Sequence, residues 1–190
     1  MKKYGLEKFN NLVDALNSLP TVGKKSALRY AYHMVLKDSF SALKIANAIQ
    51  EAVSSIKECQ RCGALSEDEI CSICADEMRD ETKLCIVENA KDIFILEEST
   101  DYDGKYFVLK SLEELDVSKL EEVVKEGICE VIFALTPSIS NDAIIIFLED
   151  KLKNYNLKFT KIAQGVPTGI NLENVDTLSL AKALELRVKV

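Results

Sequence analysis

The chain has 190 residues, 47% of them hydrophobic and 29% charged, with a formal net charge of −7. These proportions are globular and exclude a disordered chain, and no apolar run approaches the ~20 residues of a membrane span. Net acidity argues against wholesale nucleic-acid binding, but the charge is unevenly spread: residues 1–58 carry nine Lys/Arg against five Asp/Glu, and the other 132 carry fifteen against twenty-six. Any polyanion contact is therefore expected in the N-terminal part. Met1 to Lys8 leads into an amphipathic stretch with no apolar core or cleavage site, so the sequence predicts a cytoplasmic protein whose cysteines meet a reducing environment.

In chain order, Phe9, Leu12, Val13, Leu16 and Leu19 recur at helical spacing and predict a first helix. Pro20 and Gly23 interrupt it, and a second helix is expected from Lys24 to Leu36. A third follows, with Ser39 or Ser41 as N-cap and Ile45, Ile49, Val53 and Ile56 on one side. The period then changes. Leu84–Val87 is a continuous apolar run typical of a strand buried on both faces, and Val131–Leu135 is another. Ile93–Leu96, Tyr106–Leu109 and Phe159–Ala163 are further strand candidates. Leu112–Lys125, Ala143–Asn154 and Leu178–Leu186 read as helices. Strands alternating with helices predict an α/β unit with a mostly parallel sheet.

The segment CQRCGALSEDEICSIC, residues 59–74, holds four of the six cysteines. Cys59, Cys62, Cys71 and Cys74 can supply four thiolates to one tetrahedral ion, because a two-residue gap lets both sulfurs of a pair face it. Zinc suits this soft, closed donor set; an iron–sulfur cluster or a dithiol redox pair are the alternatives. One structural Zn2+ per chain is expected, with no open position for catalysis. Cys85 and Cys129 fall in apolar strand candidates and are expected to be buried small hydrophobes.

Between the first two helices stands LPTVGKKSALR, residues 19–29. Lys24, Lys25 and Arg29 sit at a helix start, where free N–H groups and cations can hold phosphate. The alternative is an ordinary helix–turn–helix joint with solvated lysines. His33, the lone histidine, has no ligand partner near it in sequence and is expected to be a packed or surface side chain.

These modules, in this order, resemble the bacterial recombination mediator family RecR. The resemblance rests on Leu19-Pro20, Val22-Gly23 and Arg29, on the two cysteine pairs, on LCIVE at 84–88 with Asp92 beyond it, and on AQGVPTG at 163–169. Leu172-Glu173, Asp176-Thr177-Leu178 and Ala183 complete it. It implies an α+β multi-module chain: a helix–hairpin–helix DNA-binding module over 1–57, a four-cysteine zinc finger over 58–75, an α/β Toprim domain over 80–165 and a C-terminal oligomerisation segment over 166–190. It implies a non-catalytic mediator of DNA repair that forms a ring-like clamp, a homotetramer, on single- and double-stranded DNA. With RecO-like and RecF-like proteins it would load recombinase on single-stranded DNA. By position, Lys24, Lys25 and Arg29 would face DNA. Glu88, Asp92 and Asp142 would meet a RecO-like partner, and Gly165, Val166, Pro167 and Gly169 would belong to the segment exchanged between subunits.

The chain departs from the family's pattern in places. Thr21 stands where the family has a glycine, and a β-branched residue there disfavours positive φ and is expected to reshape the hairpin. KSLEELDVSKLEEV at 110–123 reads as helix in place of a glycine- and proline-rich loop. Asn141-Asp142-Ala143 replaces a Gly-Glu-Ala pattern, and Ile170 replaces a glycine.

Two other readings compete. A catalytic Toprim enzyme needs Mg2+ held by clustered carboxylates, but only Glu88 is in place, and the strand that should carry an Asp-x-Asp pair ends FALTPSIS. A protein–protein adaptor would use the acidic body without touching DNA. Glu88 and Asp92 read without the resemblance would simply cap or solvate the turn after the first strand.

Overall fold

The computed structural model describes residues 5–109, 116–163, 165–166 and 168–186. They fall into two compact units divided between Ile56 and Lys57.

The first unit is helical: α1 (Glu7–Asn17), α2 (Lys24–Leu36) and α3 (Ser39–Ser55). Val13 packs with Ala27 and Ala31 of α2, both fully buried, while Phe9, Leu12, Leu16 and Val22 close around them. The two alanines present no bulk, which lets α1 and α2 approach closely. Leu19 does not share this face; it lies beyond the end of α1 and is 51% exposed. The N-cap of α3 is Asp38, not Ser39 or Ser41: its carboxylate accepts from the Ser41 N–H at 3.0 Å. That hydrogen bond holds the Asp38 carboxyl below its ordinary range, and a carboxylate also complements the helix N-terminus better than a hydroxyl. Helix α3 buries none of its residues, and Ile49 and Val53 are 58% and 79% exposed.

The second unit begins with β1 (Lys57–Glu58) paired antiparallel to β2 (Leu65–Ser66), then α4 (Ser72–Ala75). There follow β3 (Asp80–Val87), α5 (Ala90–Ser99), β4 (Gly104–Val108), α6 (Val117–Lys125), β5 (Glu130–Ala134), α7 (Ile139–Leu152) and β6 (Lys158–Lys161). A 3-10 turn at Leu172–Asn174 and α8 (Thr177–Glu185) complete the described chain. The sheet order is β4-β3-β5-β6, all parallel, the expected α/β arrangement.

The buried run of β3 alternates between two cores, as strand geometry requires. Leu84 and Ile86 join Phe107, Val131 and Phe133 under α6 and α7, whose Leu120, Val124, Ile144 and Leu148 seal that face. Cys85 and Val87 face the other way, into a cluster with Tyr106, Ile93 of α5 and all four paired cysteines. The cysteine module therefore has no core of its own; it is one wall of the sheet's second core.

Several expectations change. Ile93–Leu96 is not a strand but the middle of α5. The helix is set by a capping box in which the Asn89 side chain receives the N3 backbone N–H and Asp92 receives the Asn89 N–H at 2.9 Å, and that local signal outweighs a short apolar run. Helix α7 starts at Ile139, four residues earlier than expected, because Ser138 caps it by accepting from the Asn141 N–H. Helix α6 begins after Asp116, which accepts from the Lys119 N–H; the earlier part of the expected 112–125 helix lies outside the described residues. Cys129 is exposed, not buried, because it precedes β5 in the turn after Gly127. Cys85 is buried as expected, and burial pushes its thiol up to about 12.

Candidate metal centre and nucleic-acid interface

The four cysteines of residues 59–74 converge. Their sulfurs all lie within 4.8 Å of one another and all four residues are buried. The Cys62 and Cys71 sulfurs are 3.6 Å apart, close to the ~3.8 Å edge of a tetrahedron with zinc–sulfur bonds of about 2.3 Å. Main-chain N–H groups point at the sulfurs: Ala64 to Cys62 at 3.4 Å, Cys71 to Cys59 at 3.3 Å and Cys74 to Cys71 at 3.4 Å. Such bonds stabilise thiolate over thiol.

The turn behind the first pair depends on Gly63. Its φ is +78°, and an added Cβ would stand 3.3 Å from Cβ of Val108. The chain closes there on the sheet, with the Val108 N–H donating to the Cys62 carbonyl at 2.8 Å. Within the loop the Cys59 N–H reaches the Ala64 carbonyl at 2.7 Å and the Gln60 N–H reaches the Glu69 carbonyl at 2.9 Å. Arg61, between the first two ligands, pairs with Glu126 at the end of α6. A hydrogen bond with Cys74, in which the Cys62 thiol donates, and burial both raise Cys62, and burial is the main cause lifting Cys71 to about 11, whereas Cys59, despite its burial, is drawn down to about 7 by main-chain N–H groups, that of Cys71 first. A divalent ion supplies the charge that lets all four ionise. Four buried sulfurs complete a tetrahedral set, and this is a closed structural zinc site.

The hairpin of the helical unit is built on a β-turn. The Val22 N–H donates to the Leu19 carbonyl at 3.2 Å, with Pro20 at the second position and Thr21 at the third. Thr21 has φ +66°, the one non-glycine with positive φ among the described residues. This is a type II turn, in which the third position needs positive φ and ordinarily takes glycine. The expectation that Thr21 would avoid that conformation is therefore corrected: the turn's hydrogen bond and the packing of Val22 hold threonine in it. Gly23 then serves as N-cap of α2 with no side chain to offer the first N–H groups. Lys24, Lys25 and Arg29 are exposed on that helix, and Arg29 lies over the Tyr30 ring at 5.5 Å. His33 is exposed on the same helix.

The three acidic residues differ in kind. Glu88 follows β3, at the point where the sheet order reverses between β3 and β5. Its carboxylate accepts from the Thr136 N–H at 3.1 Å, from the Thr136 hydroxyl, and from Nδ2 of Asn141 at 2.6 Å. The Thr136 and Asn141 side chains hold it below the ordinary carboxylate range. Asp92 is committed to the capping box of α5. Asp142 is exposed in the first turn of α7, 3.7 Å from the Lys161 ammonium. Glu88 and Asp142 thus lie at the same end of the sheet, but Asn141, buried at 8% exposure, takes the hydrogen bond to Glu88. Of the C-terminal four, Gly165 and Gly169 are exposed, Val166 is half-buried, and Pro167 lies outside the described residues.

Compared with known proteins, the chain is 57% identical to the recombination protein RecR of Nitratiruptor sp. over 186 residues, 97% of this chain and 98% of that one. The chain belongs to the RecR family. RecR proteins of Campylobacter jejuni and Helicobacter pylori are 54% and 50% identical, each over 98% of this chain and 98% and 97% of their own length. The RecR helix-hairpin-helix family model matches residues 9–53, and the RecR four-cysteine zinc finger domain model matches 56–76. The first match lies within the helical unit, the second begins at the last residue before the division, and together they cover the hairpin turn and all four zinc ligands. Sequence reasoning found these ligands by spacing alone. It had no means of finding Thr136 and Asn141, the partners of Glu88, which lie 48 and 53 residues along the chain.

Proposed function

We propose that this chain acts in DNA recombination and repair as a non-catalytic mediator, gripping the DNA backbone through Lys24, Lys25 and Arg29. The observation that carries this is the start of α2. Two lysines occupy its first turn with no acidic residue there, and cations at a helix N-terminus oppose the helix dipole by about 0.3–1 kcal/mol each. Gly23 leaves the first N–H groups without a side-chain cap. A phosphate oxygen seated there satisfies the N–H groups and attracts both the lysines and the positive helix end, which offsets their mutual repulsion. Contacts of this type hold the backbone and read no bases, which suits a protein that serves any sequence.

The reading extends to assembly and partners. The apolar side of α3, exposed at Phe40, Leu43 and Val53, and the exposed Leu178 and Leu184 of α8 support self-association at both ends of the chain, as in a tetrameric clamp. Gly165, Val166, Pro167 and Gly169 would form the exchanged segment. Asp142, with Glu88 and Asp92 near it in the fold, would face a RecO-like partner, and a RecF-like partner would complete loading of recombinase. The zinc finger over 58–75 would fix where the chain enters the Toprim domain of 80–165, between the DNA-binding module of 1–57 and the segment of 166–190. A non-catalytic role is supported by Glu88, whose carboxylate is turned into hydrogen bonds with Thr136 and Asn141.

The test is the triple variant K24A/K25A/R29A. It should lose DNA affinity and flatten the dependence of log K on log salt by about 2–3 for duplex DNA, with zinc content and particle mass unchanged. Parental binding in that variant would remove the assignment. Charge reversal at Asp142 should weaken RecO binding without loss of stability. Reversal at Asp92 is a poorer probe, since it also breaks the capping box.

A further inference from the structure

Lys105 stands on β4 and is only 4% exposed. Its ammonium donates to three main-chain carbonyls: Ile73 at 3.1 Å, Cys74 at 3.3 Å and Asp76 at 2.6 Å. These sit at the C-terminal end of α4, the single turn whose N-cap is Cys71 and which presents Cys74. A helix end leaves such carbonyls without intrahelical partners, and a cation is their favoured complement. Three dipoles satisfy the donors of the ammonium but do not neutralise its charge, and a buried charge is costly unless an opposite one is close. Zinc held by four thiolates carries two net negative charges, and α4 brings that centre to the ammonium.

We propose that Lys105 is a positioning residue of the zinc site: it fixes the Cys71–Cys74 pair through the backbone of α4 and offsets the negative charge of the metal–thiolate centre. It acts on zinc through α4 and does not touch the ion. This inference is independent of the DNA reading, since it concerns only the α/β unit. It makes the sheet a tuning element for the metal from the side of the second cysteine pair, as the Val108 N–H bond to the Cys62 carbonyl holds the first.

The experiment compares the zinc-loaded full chain with K105M and Y106F. Tyr106 is the next residue on β4 and lies in one core with the four cysteines, but its hydroxyl bonds Glu97 at 2.7 Å. It therefore reports loss of stability without loss of the clasp. Zinc affinity is measured by chelator competition, and the cobalt-substituted spectrum reports ligand geometry. K105M should bind zinc roughly 10–100-fold more weakly, the range found when groups that orient metal ligands are removed, with an altered cobalt ligand-field band. Y106F should keep both near parental values even where its melting temperature falls. Parental zinc affinity in K105M, or an equal loss in Y106F, overturns the proposal. Where K105M does not fold, K105Q carries the same comparison, with at least ~10-fold weaker zinc expected from loss of the charge and parental affinity overturning it.

Discussion

Thr21→Gly offers a direct test of the hairpin geometry. Threonine is held at φ +66° in the third position of the Leu19–Val22 turn, and a left-handed conformation costs a residue with a Cβ about 1–2 kcal/mol. Glycine removes that cost but adds conformational freedom to the unfolded chain, worth about 0.5–1 kcal/mol in the opposite direction. The Thr21 side chain is exposed, so little packing is lost. The net expectation is a gain of about 0.5–1 kcal/mol, or a rise in the urea midpoint of roughly 0.3–0.5 M. Helical signal against urea at one protein concentration measures it. Thr21→Ala keeps the Cβ in the same backbone region but removes the branch, so it should recover only part of that gain. T21G no more stable than the parent, or T21A as stabilising as T21G, would refute the strained-turn argument. DNA affinity should be unchanged in T21G, because glycine preserves the backbone path that leads to α2.

Other outcomes follow from the α/β unit. Stripping zinc with a chelator should expose the core containing Cys85, Val87 and Tyr106, read as gained dye binding and a lower melting temperature, while unchanged melting would deny the metal its structural role. Gly63→Ala combines positive φ with a 3.3 Å approach to Val108; it should lose about 1–3 kcal/mol and weaken zinc retention together, and losing one without the other would separate the turn from the site. Gly104→Ala would place a Cβ 2.8 Å from the Lys83 carbonyl and 2.3 Å from the Tyr102 hydroxyl, so thermal melting should show marked destabilisation; a neutral result would mean that β3 and β4 shift freely. Glu88 has a folded pKa below its ordinary value, held there first by the Thr136 side chain and then by Asn141. Its contribution is therefore present above the ordinary carboxylate range and lost as pH falls through the lower folded value. Glu88→Gln should flatten that part of the acid unfolding curve, and matching acid limbs for both proteins would count against it.

Much of this was legible in the sequence where one local pattern decides the outcome. The cysteine spacing marks the zinc site, and Leu84–Val87 and Val131–Leu135 mark the central strands because burial on both faces demands unbroken apolar runs. Reading failed where two local rules compete. Ile93–Leu96 satisfies a strand pattern, but Asn89 and Asp92 cap a helix three residues earlier. The middle of helix α7 is an unbroken apolar run, residues 143–148, that covers every face, and Ile146 in it is exposed, so its periodicity says little about where it begins. The site details that stayed hidden are products of topology. Thr136 and Asn141 meet Glu88 only because β5 lies beside β3. Lys105 looks like a lone charge in an apolar strand, and nothing in the spacing ties it to Cys74.

That last separation bears on how the protein is made. Lys105 follows Cys74 by 31 residues, which at ribosomal speed is roughly 2–6 s of synthesis. During that interval the cysteines have emerged, while the strand that will enclose them has not. Their thiols are then open to the wrong metal or to oxidation, and an ion bound in that interval is held without a core behind it. Firm retention of the ion waits for the finished sheet, whose core encloses the four cysteines.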